Sequence, residues 1–136
     1  MKDIAFTVFD AEKSFQKAVE NGAEIAYEPY ATSDDTGEVV RAAVKTYGEV
    51  IHSFVSRSGG YALPEVKQGG AILPGFTTME HPLNQFNKDN PCGLKFLDHC
   101  VGNVKLNEMD KTVKWYENVL DFTMFKHFDD ADISTE

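Results

Sequence analysis

The residues best suited to chemistry stand together at Asp98, His99 and Cys100, inside the apolar segment GLKFLDHCVGNV of residues 93–104. Read with the two-residue period of a strand, Leu97, His99 and Val101 share one face, and Phe96, Asp98, Cys100 and Val104 share the other. That alternation sets the His99 imidazole among apolar neighbours. A neutral imidazole so placed is either a metal ligand or a core histidine satisfied by one hydrogen bond, and a lone histidine does not choose between the two. Asp98, on the other face, reads as a structural hydrogen-bond acceptor rather than a general base. Cys100 reads as a small packed hydrophobe rather than a sulfur ligand.

The elements that would position His99 follow directly. Asn107 is suited to cap a helix beginning at Glu108, in which Met109, Val113, Tyr116 and Leu120 recur at helical spacing. Trp115, Tyr116 and Phe122 read as helix-to-sheet core rather than a stacking surface for a substrate. The segment FTMFKHF, residues 122–128, reads as a further strand, with His127 opposite Lys126 and Phe128 and not as a ligand.

The same order of elements occurs earlier. Residues 3–9 alternate as a strand with Ile4, Phe6 and Val8 on one side, and Asp10 is suited to cap a helix striped with Ala11, Phe15, Ala18 and Val19. Asn21 and Gly22 stop it. Residues 23–30 read as a strand ended by Pro29. A turn at residues 34–37 leads into two antiparallel strands, residues 39–47 and 50–55, with Val40, Ala42 and Val44 opposing Arg41 and Lys45. Residues 3–56 are therefore expected to be β-α-β-β-β. His52, on the Val50/Phe54 face, reads as a buried, hydrogen-bonded histidine. Residues 57–94 carry glycine or proline at short intervals and read as a linker, with His81 solvated before Pro82.

Composition narrows the classes. A chain of 136 residues that is 42% apolar can bury a core, while a net charge of -9 argues against nucleic acid and anionic membrane as partners. Cys92 and Cys100 form neither a disulfide framework nor a CxxC pair, which suits a reducing compartment. No apolar run approaches the ~20 residues of a membrane helix and no targeting signal is evident, so a cytoplasmic protein is expected.

Together, LDHCVGNV and VKWYENVLDF resemble the start of a βαβββ module of the vicinal oxygen chelate superfamily, and within it the 4-hydroxyphenylpyruvate dioxygenase family. DIAFTVFDAEKSFQKAVENGAEIAYEP with VKTYGEVIHSFV resembles the later module of that family's N-terminal domain, and ILPGF resembles its linker. The resemblance implies an α+β fold of glyoxalase/bleomycin-resistance type. It implies residues 1–56 as a module of the non-catalytic N-terminal domain, 57–94 as interdomain linker, and 95–136 as the truncated start of the catalytic C-terminal domain. It further implies Fe(II) held by two histidines and a carboxylate, with His99 as the first ligand and no match here for the other two. The parent reaction would turn 4-hydroxyphenylpyruvate, a 2-oxo acid, and O2 into homogentisate and CO2 in tyrosine catabolism, and this internal piece alone would be inactive. The rivals are a hydroxymandelate synthase fragment and a non-catalytic binding module. An uncovered module face and unpaired strand edges imply a homo-oligomer, at least a dimer.

Overall fold

The computed structural model describes residues 2–67 and 70–126. Four strands form one sheet in the order β1-β4-β3-β2, from β1 (Asp3–Thr7), β2 (Ile25–Asp34), β3 (Gly37–Lys45) and β4 (Ile51–Arg57). Helix α1 (Ala11–Glu20) joins β1 to β2, so the expected β-α-β-β-β order is present. β1 lies parallel to β4, in register from Asp3 opposite Ile51 to Thr7 opposite Val55. Beyond the sheet come a 3-10 turn (Gly59–Tyr61) and the helices α2 (Leu63–Lys67), α3 (Pro82–Asp89) and α4 (Met109–Leu120). Among the described residues no helix is long and apolar enough to cross a membrane.

The described chain divides into two compact units, one drawn from residues 2–30, 41–56 and 104–126, the other from 31–40 and 57–103. In the first, Asp10 caps α1 by accepting from the Lys13 amide at 3.0 Å, and Ala11, Phe15 and Ala18 bury the helix stripe. Val119 is the buried residue of α4. In the second, the Tyr61 hydroxyl donates to the Asp34 carboxylate at 2.5 Å, and the Gly60 amide donates to the Thr36 carbonyl at 2.9 Å.

Several local expectations are corrected. β2 runs through Pro29 to Asp34, because it is an edge strand and an imino nitrogen facing away from the ladder breaks no hydrogen bond. Ala42, Ala43 and Val44 are consecutive and all fully buried, so β3 is covered on both faces and Arg41 is half-buried instead of facing water. The segment 57–94 contains α2 and α3, and His81 caps α3 by accepting from the Leu83 amide at 3.2 Å. Asn107 does not cap α4. It takes a left-handed conformation with φ 67, and Glu108 occupies the cap without a side-chain bond.

The largest correction concerns residues 93–104, which form no strand. Their alternation is strand-like, but no described strand runs beside them, and an extended segment without a ladder leaves its amides and carbonyls to water. Leu94, Phe96, Leu97 and Val101 are accordingly exposed. Residues 122–126 likewise form no strand, and His127 with Phe128 lies outside the described residues.

Candidate functional site

His99 is exposed, 72% by side chain, and not inward-facing as alternation predicts. Without the pleat of a sheet the neighbouring side chains are free to meet, and His99 Nδ1 lies 2.6 Å from the Asp98 carboxylate. A carboxylate only accepts, so Nδ1 carries the proton, and in the neutral ring Nε2 keeps its lone pair. A carboxylate bonded to Nδ1 fixes the tautomer and orientation of an imidazole, as is usual for imidazoles that bind metals. Cys100 is half-buried and Cys92 exposed, both as free thiols. Among the described residues no group of three or more His, Cys, Asp or Glu side chains converges as a metal site.

His52, by contrast, is buried to 1% exposure. Its Nδ1 sits 3.0 Å from the Ile4 carbonyl and its Nε2 2.7 Å from the Tyr116 hydroxyl. The carbonyl can only accept, so the neutral ring is protonated on Nδ1, and Nε2 accepts from Tyr116. The rings of Phe6, Tyr116 and Trp115 surround it at 5.0, 5.5 and 6.4 Å. Burial pushes its pKa below the ordinary histidine value, against the opposing pull of the Ile4 hydrogen bond and the Asp3 charge. Burial likewise holds the Tyr116 phenol above its usual range. His52 is thus the buried, hydrogen-bonded histidine expected, whereas of the three aromatics expected as core Trp115 and Tyr116 are half-buried and Phe122 is 47% exposed, in ring contact with Phe6 and Tyr116. Sequence reasoning did not foresee Tyr116 as the partner of His52, for the two are 64 positions apart. A buried histidine and a helix tyrosine each needing a polar partner was the signal available.

Between α1, α4 and the sheet of this same unit lies a cleft of about 310 Å³, walled by Phe6, Val8, Phe54, Val119 and Phe122. Lys17 and Asp121 form an ion pair at its edge. On β4 Ser53, itself buried, donates to the Asp3 carboxylate and accepts from Tyr27, both at 2.7 Å.

No family model matches the chain. Curated relatives do. The chain is 40% identical over 138 residues to the 4-hydroxyphenylpyruvate dioxygenase of Tetrahymena thermophila, all of this chain but 32% of that protein. It is 40% identical over 139 residues to the enzymes of the same name from Aspergillus fumigatus and Dictyostelium discoideum, again over the whole chain and 32% and 35% of theirs. The chain thus spans about a third of the length of the curated relatives it matches. Among solved structures, a mutant of 4-hydroxymandelate synthase from Streptomyces coelicolor superposes with a TM-score of 0.54 at 20% identity, over 91% of this chain and 32% of that one. By sequence along its entire length the chain is similar to one third of a 4-hydroxyphenylpyruvate dioxygenase, and its mixed α+β fold is of the vicinal oxygen chelate type.

Proposed function

We propose that this chain is the part of an Fe(II)-dependent 4-hydroxyphenylpyruvate dioxygenase that joins its two domains and contributes the first iron ligand, His99. The observation that carries the reading is identity of 40% maintained over the whole chain against relatives three times its length. Residues 1–56 would be a module of the N-terminal domain, 57–94 the linker, and 95–136 the opening of the catalytic domain. The parent protein, cytoplasmic and at least dimeric, would convert 4-hydroxyphenylpyruvate and O2 to homogentisate and CO2 in tyrosine catabolism. Iron, when bound, supplies the redox chemistry toward O2. What this chain offers is an exposed imidazole with Nδ1 engaged by Asp98.

The test is a chimera in which these 136 residues replace the matching third of the Tetrahymena thermophila enzyme. Oxygen uptake with 4-hydroxyphenylpyruvate by the chimera, and none by the isolated chain, is the expected result. An inactive but well-folded chimera, or turnover by the chain alone, would refute the reading. The second reading, hydroxymandelate synthase, draws support from the solved structure that shares the fold. Product analysis of the parent protein separates homogentisate from 4-hydroxymandelate.

A further inference from the structure

Helix α4 is held to its unit by few buried contacts. Val119 is its buried side chain, and at its C-terminal end the Asn21 amide donates to the Val119 carbonyl at 3.4 Å while Lys17 pairs with Asp121. Both partners of that ion pair are more than half exposed, so it is screened by solvent. In the middle of the helix the Tyr116 hydroxyl is bonded to a fully buried group, His52 Nε2. We propose that His52 is a pH-sensitive latch on α4, closed while its imidazole is neutral and opened when the imidazole takes a proton.

The geometry dictates the sign. In the latched state Nδ1 already donates to Ile4, and Nε2 must remain a bare acceptor to receive the Tyr116 O–H. A proton on Nε2 faces the phenol's own hydrogen and puts a charge among Phe6, Tyr116 and Trp115. From β1 the Asp3 carboxylate attracts that charge, but it is already hydrogen-bonded to Ser53. From the start of α4, Glu108 and Lys111 line the same small cleft as Trp115 with opposite charges, and Tyr47 lines it too. Burial accordingly depresses the His52 pKa. With α4 lifted, the imidazole is solvated and regains its ordinary value of about 6.5. Below that value the open state binds a proton that the latched state refuses, so acid favours opening until the depressed pKa is passed.

The experiment follows α4 amide protection and the emission of Trp115, the chain's one tryptophan, from about pH 7.5 to about pH 4.5 in the intact 136-residue chain. Corrected for intrinsic exchange, α4 protection should fall by up to about tenfold per pH unit between the two pKa values, with a red shift of Trp115 and little change in α1. His52→Gln should abolish the pH dependence. Equal pH dependence in that variant, or none in the unaltered chain, would overturn the latch. Should His52→Gln not fold, NMR titration of the imidazole in the unaltered chain decides. Loss of α4 protection that tracks His52 protonation supports the latch, and protonation with α4 still protected refutes it.

Discussion

Gly59 takes φ +60, and a Cβ added there would stand 2.4 Å from the Thr36 carbonyl oxygen and 3.0 Å from Gly37 Cα. Both obstacles are backbone, so neither can rotate away. Gly59→Ala therefore meets two costs. The left-handed conformation costs an alanine about 1–2 kcal/mol. Moving the two strands of backbone apart also breaks the bonds from the Gly60 amide to Thr36 and from the Ser58 amide to Glu38, both 2.9 Å and about 0.5–1.5 kcal/mol each. The sum is roughly 3 kcal/mol, or on the order of a hundredfold in a local opening constant. Gly48 provides the comparison, because it has φ +58 with nothing within 4 Å of an added Cβ. Gly48→Ala should show the conformational cost alone, offset by about 0.4–1 kcal/mol through a less flexible unfolded chain. Native-state hydrogen exchange at Ser58 and Gly60 reads the difference. Protection at those amides should fall on the order of a hundredfold in Gly59→Ala and hold in Gly48→Ala. Retained protection in Gly59→Ala would show that the close approach does not hold the β2–β3 turn.

Asp34 is held below the usual carboxylate range first by the Tyr61 hydrogen bond, then by backbone amides of Thr36, Gly75 and Gly37. A depressed folded pKa contributes stability above the unfolded value of 3.8 that is lost as pH falls through the folded one. Tyr61→Phe should therefore raise the Asp34 titration midpoint in carboxyl NMR, and an unchanged midpoint would discount the bond. The exposed apolar run of Leu94, Phe96, Leu97 and Val101 should make the isolated chain associate. Light scattering over a dilution series that stays at 15.2 kDa would contradict this.

The β1 to β4 module was legible because its punctuation is local. Asp10 caps within three residues, Asn21 and Gly22 close α1, and the turn after Asp34 joins β2 to β3. Pro29 misled because its tolerance depends on whether β2 is an edge, and strand order is not a local property. The same limit applies at His99. Its candidacy could be read from residue type and surroundings, but its exposure and its contact with Asp98 could not, since alternation presumes a neighbouring strand. Tyr116 on His52 is likewise a tertiary fact, set by how α4 lies on β4. Asn107 misled for a different reason, because asparagine suits both a cap and the left-handed turn that it adopts.

Whether His99 binds iron is the central claim, and iron content measures it apart from turnover. The chimera carrying these 136 residues in the Tetrahymena thermophila framework should hold iron stoichiometrically, and its His99→Ala form should lose most of that metal while keeping its fold by circular dichroism. A folded His99→Ala chimera with full iron and normal oxygen uptake would contradict the account.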